Sequence, residues 1–483
     1  MMRTAFVIIL FSSFFFSGKA QTHPAMKKFL NAPHMRGASV SIMIKDVRGD
    51  SEMFSYDANR EVIPASTVKA VTTATALEIL GEHFRYETAI MHDGNIRNGV
   101  LYGNIYIRGS GDPTIGSSHA GADRDKTIRK WISAIKNKGI RKITGSVIAD
   151  ESIFDTEGVS MKWLREDLGS HYGQGCYGLN IYDNRYRLFL RTGEPDSKPS
   201  IERSEPDMPS IVFRNYLTAK KIAADSTYIV GFPYSNERYL YGAVPANRSE
   251  YGLSGDIPEP ALFLAGYVTA RLKEEGIEVT EEPACYRKLS QAGKWKKQER
   301  KIITTSYSPP LKDIIRITNH ASHNLYADAL LKTIGLRYKP DEVASSFEKG
   351  IKTLHEHWKR VGLDTSSLWM FDGGGLSPAD KITACFLCEL LSYMATKSTA
   401  SDVFMKSLPR AGMEGTVVNL LKGSSLHGKA RLKSGSMSRV RNYTGYVTKD
   451  NRLYAVAFLV NNFSCKQNQM EADIEELLLS LFE

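Results

Sequence analysis

Three short groups of polar residues in this chain have the types and the spacing to activate a serine hydroxyl as a nucleophile. Ser66 and Lys69 lie three residues apart at the start of the apolar stretch VIPASTVKAVTTATALEILG, residues 62–81. Residues at this spacing share one face of a helix, so a hydroxyl and an amine would lie side by side. A serine becomes a nucleophile when a base removes its proton, and a lysine can act as that base once burial lowers its pKa. The apolar helix around Lys69 would supply the burial.

The Ser-x-x-Lys pattern is weak evidence on its own. It occurs again at Ser133 with Lys136 and at Ser346 with Lys349, in charged stretches that predict surface helices. Ser66 differs from both because it follows a proline at a predicted helix start and because two further motifs occur downstream in a fixed order. We therefore interpret Ser66 as the candidate nucleophile.

The second motif, SHN, contains Ser322 and Asn324, and the third, KSG, runs from Lys433 to Gly435 on a predicted strand. A hydroxyl in the second motif could relay a proton to a departing amine, and the asparagine amide could hold both the lysine and a substrate carbonyl. The alternative interpretation is a helix cap. In the third motif, a lysine beside a hydroxyl suits a terminal carboxylate, and a glycine leaves room for a substrate backbone. The alternative there is a solvated strand end.

The sequence predicts no metal and no other cofactor. His320 and His323 lie about one helical turn apart, but no third ligand is evident. Cys385 and Cys388 lie in the apolar pattern ITACFLCELLSYM, which favours packing in a core over metal or redox use. The stretch GSGDPT at residues 109–114 contains a proline and is followed by no helical pattern, which argues against a nucleotide-binding loop.

The elements that must position the motifs fall into three regions. Residues 21–84 contain the alternating strand pattern ASVSIMIKD and then the helix that begins near Ser66. Residues 85–283 consist of short strands separated by turns and predict inserted β-rich domains, two in number, with one nested near residues 184–255. Residues 284–483 return to helices and end with a β-hairpin and an amphipathic helix. The predicted fold class is α/β (α+β), with one domain split in sequence by the insertion.

The N-terminal sequence predicts export. Arg3 precedes an apolar run, and Gly18 and Ala20 have the small side chains of a cleavage site, so residues 1–20 are predicted to be a secretory signal. The run is shorter than the roughly 20 apolar residues that span a bilayer, so no transmembrane span is predicted in the mature chain. A composition of 42% hydrophobic and 24% charged residues excludes disorder, and a formal charge of +10 suits anionic polymers without identifying a partner.

In this order, the three motifs resemble the S-x-x-K, S-x-N and K-[ST]-G set of serine penicillin-recognising enzymes. The gaps of 256 residues from Ser66 to Ser322 and 111 residues from Ser322 to Lys433 are similar to those of the low-molecular-mass class C penicillin-binding proteins. These are D-alanyl-D-alanine carboxypeptidases and endopeptidases with domains inserted after the first motif. The stretches GSGDPTI, YGLNIYDNRYRL and DGGGLS are also similar to that family. The resemblance implies a penicillin-recognising serine transpeptidase/β-lactamase-like domain.

The resemblance also implies a substrate and a role for each motif residue. The substrates would be peptidoglycan stem peptides, the inhibitors β-lactams, and the location the periplasm after secretion across the inner membrane, with no nucleic-acid partner. The implied catalytic residues are the nucleophile Ser66, its general base Lys69, the proton relay Ser322, the substrate-positioning Asn324 and the carboxylate-binding Lys433. The implied substrate-binding residues are Ser434, Gly435, Ser436, Met437 and Leu376, with the backbone N–H groups of Ser66 and Ser436 as the oxyanion hole.

Three positions depart from the family pattern. Ser434 stands where threonine is usual, which predicts looser substrate binding, and we expect the unfamiliar His323 to be directed away from the reacting atoms. Pro378 stands where some relatives have an arginine that meets the side-chain carboxylate of diaminopimelate, so recognition of the stem peptide would differ. Two alternative functions remain: a serine β-lactamase, for which no deacylating base is evident, and a catalytically idle cell-wall-binding scaffold, against which the intact motifs argue.

Overall fold

The structure, a computed structural model, describes residues 23–337 and 343–483. The predicted secretory signal, residues 1–20, lies outside the described residues. Within the two described ranges, no helix combines the length and the apolar character that crossing a bilayer demands.

The described residues form helices and strands throughout. The helices are α1 (Pro24–Asn31), α2 (Val68–Leu80), α3 (Lys126–Asn137), α4 (Pro260–Glu274), α5 (Tyr286–Gln291), α6 (Leu311–His320), α7 (Asn324–Gly335), α8 (Ser346–Arg360), α9 (Ala384–Thr396), α10 (Ser401–Ser407) and α11 (Gln467–Phe482). The strands are β1 (Ser39–Asp46), β2 (Ser51–Tyr56), β3 (Glu87–His92), β4 (Asn95–Arg97), β5 (Val100–Tyr102), β6 (Ile105–Arg108), β7 (Lys142–Ile143), β8 (Val147–Asp150), β9 (Arg185–Thr192), β10 (Ser200–Glu205), β11 (Val212–Asn215), β12 (Thr218–Lys220), β13 (Tyr228–Val230), β14 (Glu237–Tyr241), β15 (Ala243–Pro245), β16 (Arg248–Asp256), β17 (Glu278–Val279), β18 (Ala284–Cys285), β19 (Lys301–Tyr307), β20 (Ala430–Met437), β21 (Val440–Lys449) and β22 (Arg452–Asn461).

A five-stranded antiparallel sheet in the order β2-β1-β22-β21-β20 joins the two ends of the chain. Because side chains alternate along a strand, β1 sends Met43 to one face and Ile42 and Ile44 to the other. The first face packs against α2 and helices of the last region, and the second packs against α1 and α11. The predicted C-terminal hairpin is confirmed: β21 and β22 meet at Asp450 and Asn451, whose φ angles of 49° and 60° suit a two-residue turn.

Helix α2 passes through the centre of this domain. Every residue from Val68 to Leu77 is buried, and threonine hydroxyls inside the helix bond back to its own carbonyls, as Thr73 does to Lys69 at 2.7 Å. The helix ends at Gly81, whose φ of 81° follows the last turn without strain. A helix buried on all sides holds its first turn in a fixed position, which matters because Ser66 lies there.

The middle region is built on two further sheets, one in the order β18-β8-β6-β3-β19 and one in the order β17-β7-β5-β4, packed with α3 and α4 around one core. The region predicted as β-rich therefore also contains two helices. Its chain enters along β3 and leaves along β19, which pair antiparallel. The last strand of this sheet, Lys301–Tyr307, lies beyond the boundary predicted at residue 283 because it returns beside the entering strand.

Strands β9 to β16 form three small sheets around a core of their own. They occupy the part of the chain predicted as a nested unit near residues 184–255. Their orders are β10-β9-β16, β11-β14-β13 and β12-β15. The buried guanidinium of Arg238 bonds Asp256 at 2.7 Å, so a paired charge ties β14 to β16 inside this small unit.

Candidate active site

Ser66 lies in a short 3₁₀ turn that leads into α2, and it is partly accessible. The residues before it are fixed by two buried asparagines of the central sheet. Asn442 donates to the carbonyl oxygens of Ile63 at 2.9 Å and Pro64 at 2.8 Å. Asn461 accepts from the N–H of Ile63 at 2.8 Å. Two strands that are distant from Ser66 in sequence, β21 and β22, thus hold the backbone of the Ser66 turn in place.

The amine of Lys69 is completely buried and donates three hydrogen bonds. Its acceptors are the Ser66 hydroxyl at 2.8 Å, the Asn324 side-chain oxygen at 2.6 Å and the Gly374 carbonyl oxygen at 2.5 Å. Burial lowers the pKa of Lys69 to about 8, although the nearby Asp372 carboxylate acts in the opposite direction. An amine with this pKa, in contact with a serine hydroxyl, is suited to remove the proton of that hydroxyl.

The second motif lies between α6 and α7, with its two polar residues turned toward the lysines. Ser322 adopts a left-handed conformation with φ of 53°, an unusual backbone geometry for serine, and its hydroxyl accepts from Lys433 at 2.9 Å. Asn324 begins α7, and its amide nitrogen donates to the Tyr172 carbonyl oxygen at 2.8 Å while its oxygen accepts from Lys69. The amide orientation is therefore fixed from both ends.

His323 is directed away from this cluster, as expected. It is buried with its Nε2 3.5 Å from an Asp183 oxygen, and its ring lies 5.3 Å from that of His119. Burial lowers the pKa of His323 to about 4, so its ring is neutral near pH 7. This histidine packs the second motif against the middle region.

The third motif brings a second buried lysine to the site. Lys433 donates to Ser322 and, at 2.6 Å, to the carbonyl oxygen of Ser434. Burial lowers the pKa of Lys433 well below its usual value, and the positive charges of Lys69 and Arg441 act in the same direction. The Ser434 hydroxyl donates to Thr416 at 2.7 Å. An anion arriving here would meet a lysine amine that has no ion pair with an acidic side chain of the described residues.

Gly435 allows strand β20 to touch the Ser66 turn. A Cβ atom at this position would lie 2.6 Å from the Pro64 carbonyl oxygen and 3.1 Å from the Ser66 nitrogen. The sequence suggested only that this glycine gives room to a substrate, whereas the structure uses it for close packing of strand and turn. Beyond it, Ser436 is exposed and Met437 is half-buried on β20, an edge strand of the central sheet.

A glycine-rich loop with the sequence DGGGLS completes the site. The buried carboxylate of Asp372 accepts from the backbone N–H groups of Gly374 at 2.9 Å, Leu376 at 3.1 Å and Ser377 at 2.8 Å. The indole nitrogen of Trp163 also donates to it, at 2.7 Å. These bonds aim the Gly374 carbonyl at Lys69 and leave Leu376 half-buried.

The sequence indicated this loop only through its similarity to a stretch found in the family. It missed the role of the Gly374 carbonyl, of Tyr172 and of the two sheet asparagines. The aspartate followed by three glycines was a usable signal, because such a run favours a tight loop around a carboxylate. The sequence gives no signal for the backbone carbonyl acceptors, because every residue type has a backbone carbonyl.

The other Ser-x-x-Lys pairs lie elsewhere. Ser133 is exposed on α3, and Ser346 is buried in α8, where its hydroxyl bonds Asp155 at 2.7 Å. Among the described residues, the side chains of His34, Cys465 and Asp473 form a group with possible metal ligands within 4.8 Å of one another. It lies where the segment before β1 meets α11, outside the motif cluster.

Comparisons with known proteins identify the family of the chain. The family model described as the D-Ala-D-Ala carboxypeptidase 3 (S13) family matches residues 23–480. The D-alanyl-D-alanine carboxypeptidase DacB of Haemophilus influenzae is 25% identical over 433 residues, which cover 89% of this chain and 86% of that protein.

Solved structures show the same fold. The crystal structure of penicillin-binding protein 4 from Haemophilus influenzae covers 95% of this chain and 98% of its own, with a TM-score of 0.81 at 22% identity. A structure of that protein complexed with a novel β-lactam has the same coverage, with a TM-score of 0.76 at 20% identity. The predicted fold class, a mixed α/β penicillin-recognising domain with insertions, is confirmed. Since the family model covers nearly all of the described chain, this protein belongs to the D-Ala-D-Ala carboxypeptidase 3 (S13) family.

Proposed function

We propose that this protein is a serine D-Ala-D-Ala peptidase that acts on peptidoglycan stem peptides, as a carboxypeptidase, as an endopeptidase or as both. The observation that carries the proposal is the contact of the buried Lys69 amine with the Ser66 hydroxyl and the Asn324 amide. Membership of a D-Ala-D-Ala carboxypeptidase family supports the substrate class. The protein would meet this polymer in the periplasm, after secretion and loss of residues 1–20.

In the first step, neutral Lys69 accepts the proton of Ser66 while the serine oxygen attacks the carbonyl carbon of the penultimate D-alanine. The negative charge that develops on the carbonyl oxygen is stabilised by the backbone N–H groups of Ser66 and Ser436. One such donor is worth about a hundredfold or more in rate. The close packing at Gly435 supports this role, since it keeps β20 and the Ser66 turn at a fixed separation.

The second step breaks the peptide bond and needs a proton on the leaving nitrogen. Ser322 donates its hydroxyl proton to that nitrogen and regains one from the lysines, because Lys433 bonds its oxygen at 2.9 Å. The amine leaves as free D-alanine in the carboxypeptidase reaction, or as the neighbouring stem peptide in the endopeptidase reaction. Water then hydrolyses the ester on Ser66 and restores the enzyme.

The terminal carboxylate of the substrate would bind Lys433 and Ser434. A negative charge at this position opposes the effects of burial and of Lys69, so it would raise the pKa of Lys433 and favour its charged form. The Ser434 hydroxyl would exchange its bond to Thr416 for one to the carboxylate. Leu376 and Met437 would border the same groove.

A fluorescent penicillin and a peptide ending in D-Ala-D-Ala test the proposal. β-Lactams mimic that end, so we expect stable labelling of the purified protein together with release of D-alanine from the peptide. Ser66→Ala should abolish both, whereas Ser133→Ala, on an exposed helix face, should keep both. Normal labelling of Ser66→Ala would overturn the assignment.

The same experiment separates the two alternative functions. Rapid turnover of the drug would indicate a serine β-lactamase, and absence of labelling would indicate a catalytically idle scaffold. Digestion of purified, crosslinked peptidoglycan, followed by fragment masses, then distinguishes the two peptidase reactions. Loss of D-alanine alone indicates a carboxypeptidase, and conversion of dimers to monomers indicates an endopeptidase.

A further inference from the structure

The nested unit exposes a sheet face that carries tyrosines. Strands β13 and β14 pair antiparallel, with Tyr228 opposite Tyr241. The alternating residues Ile229 and Leu240 are buried in the core of the unit. The other face therefore presents the tyrosines away from that core, where a soluble protein ordinarily places charged or small polar residues.

The tyrosine rings on this face are aligned. The Tyr241 ring lies 5.4 Å from that of Tyr216 at an interplanar angle of 10°, and 5.4 Å from that of Tyr228 at 25°. The Tyr239 ring is 6.4 Å away at 9°. Tyr228 keeps 53% of its surface exposed, and Tyr216 keeps 59%. Aligned and exposed aromatic rings of this kind mark a binding surface more often than a stability device.

Tyr228, Tyr239 and Tyr241 line a cleft of about 690 Å³. The turn at residues 164–166 and the loop between β13 and β14 also line this cleft. Polar side chains stand at the cleft, namely Arg165, Glu166, Ser235 and Glu237. The volume falls within the roughly 300–1,000 Å³ of sites for small organic molecules, and an aromatic wall with a few polar groups is their usual lining.

The loop between β13 and β14 is held in place by the side chain of Arg238. The guanidinium of Arg238 donates to the carbonyl oxygens of Ser235 at 2.9 Å and Glu237 at 3.0 Å, and it is completely buried. At the rim, Glu237 accepts from Arg214 at 2.6 Å and from the Tyr239 hydroxyl at 2.7 Å. The cleft is therefore preorganised, which lowers the entropic cost of binding a ligand.

One segment connects the cleft with the candidate active site. The turn at residues 164–166 lies between Trp163, which bonds Asp372, and Tyr172, whose carbonyl oxygen accepts from Asn324. In the same segment the Leu168 carbonyl oxygen accepts from Gly231 of the nested unit at 3.0 Å. A ligand in the cleft would thus lie on the same stretch of chain that contacts the catalytic asparagine.

We propose that this cleft binds sugar rings of a peptidoglycan glycan strand while a stem peptide of the same polymer reaches Ser66. A pyranose ring has an apolar C–H face that packs on aromatic rings, and its hydroxyl and acetamido groups pair with side chains such as Glu166 and Arg165. The inference rests on the proposed function, because a substrate that joins glycan and stem peptide in one molecule is peptidoglycan. The tyrosine cleft then acts as a second attachment point that raises the local concentration of stem peptides.

The test measures binding of chitotetraose and of amidase-treated glycan strands to the full protein by calorimetry and co-sedimentation. We expect the wild type to bind both, and the double variant Tyr228→Ala/Tyr239→Ala to bind at least about tenfold more weakly, as loss of stacking predicts. The pair Tyr228→Phe/Tyr239→Phe should keep most of the affinity because it keeps the rings. Tyr102→Ala is the matched control, since this tyrosine is 58% exposed on a strand of another sheet.

Activity supplies a second measurement. On uncrosslinked peptidoglycan, the alanine pair should lose at least about fivefold more D-alanine release than it loses on a free pentapeptide. Equal losses on both substrates, unchanged glycan affinity of the alanine pair, or no glycan binding by the wild type would each overturn the inference. A dimer of the wild type that the alanine pair abolishes would overturn it in favour of a second copy. A wild type that binds glycan but neither releases D-alanine nor converts crosslinked dimers to monomers would instead overturn the proposed function.

Discussion

At the residue scale, the pKa of Lys69 predicts how the reaction depends on pH. Only the neutral amine can accept the Ser66 proton, and with a pKa of about 8 roughly a tenth of it is neutral at pH 7. Because the pKa is lowered, the neutral fraction rises with pH. The second-order rate of penicillin acylation should therefore rise about tenfold per pH unit up to about pH 8 and then level off.

A charge-preserving variant provides the control for this pH profile. Lys69→Arg keeps a positive group but cannot lose its proton near neutral pH. It should lose acylation by at least about a thousandfold, the upper range of general base catalysis, at every pH between 6 and 9. A wild-type rate that stays flat over this range, or an active arginine variant, would remove Lys69 from the role of base.

A separate prediction concerns Lys433, because its proposed role is to bind the negatively charged terminal carboxylate of the substrate. Lys433→Ala should lower kcat/KM for a peptide with a free terminal carboxylate by about 10- to 100-fold more than for the matching terminal amide. The expected size corresponds to one hydrogen bond to a charged group. The measurement is D-alanine or D-alaninamide release from the two peptides. Equal losses on both would mean that Lys433 serves the proton relay through Ser322 alone.

At the scale of elements, the contact of β20 with the Ser66 turn depends on Gly435. Gly435→Ala would place a methyl group 2.6 Å from the Pro64 carbonyl oxygen. Because this neighbour is a backbone atom, relieving the clash would require the backbone to move, which costs stability. We expect a loss of penicillin acylation of about a hundredfold, as for the loss of one oxyanion donor, together with a lower Tm. Labelling kinetics and thermal unfolding measure the two effects.

Gly266→Ala is the matched control for this variant. The added methyl group would lie 3.9 Å from the Pro283 ring, which is ordinary van der Waals contact, and the position lies inside α4. Alanine in a helix interior is more stable than glycine by up to about 1 kcal/mol, so this variant should keep its activity and raise the Tm slightly. If Gly435→Ala behaved in the same way, the strand and the turn would not be in essential contact.

The sequence predicts contacts between residues that are close along the chain, and it does not predict contacts between residues that are far apart along the chain. The proximity of Ser66 and Lys69 follows from local helix spacing, and the terminal hairpin follows from the turn residues Asp450 and Asn451. The place of the second and third motifs beside Ser66 followed from a family resemblance, since contacts across 111 or 255 residues leave no local pattern. The motif roles stay predictions.

Helix α4 was missed because short strands and turns dominate the middle region, whereas a surface helix was predicted around Ser133 and Lys136, where α3 lies. The pattern KTIRKWISAIKN of α3 has its buried residues at helical spacing, namely Ile128, Trp131, Ile132 and Ile135. The position of β19 was missed for a different reason. Its pairing with β3 closes the insertion across some two hundred residues of intervening chain, and neither strand carries a signal of its partner.

At the scale of the whole molecule, the middle region contributes to the site through residues 163–172. Trp163 and Tyr172 place an indole donor on Asp372 and a carbonyl acceptor on Asn324. The inserted chain therefore supplies hydrogen bonds that help to position Asp372 and Asn324 in the site. This dependence is testable without removing the insertion, because the hydrogen bond from Trp163 to Asp372 can be removed by a single substitution.

Trp163→Phe removes the indole donor and leaves the Asp372 carboxylate with one partner fewer. We expect unfolding to become easier by about 1.5–3 kcal/mol, the range for a hydrogen bond to a charged group. Acylation by penicillin should fall by about tenfold, because the loop that aims Gly374 at Lys69 loses a support. The pH profile should keep its shape if Lys69 stays the base.

Trp131→Phe is the matched control for this effect. Its indole also donates one hydrogen bond, to Ser306 at 2.9 Å, but within the middle region, between α3 and β19. This variant should lose stability by about 0.5–1.5 kcal/mol, as for a bond between neutral groups, and keep wild-type acylation. Chemical denaturation and labelling rates compare the two variants. If both slowed acylation equally, the insertion would act on the site through general stability, and the contact of Trp163 with Asp372 would have no specific part in positioning the glycine-rich loop.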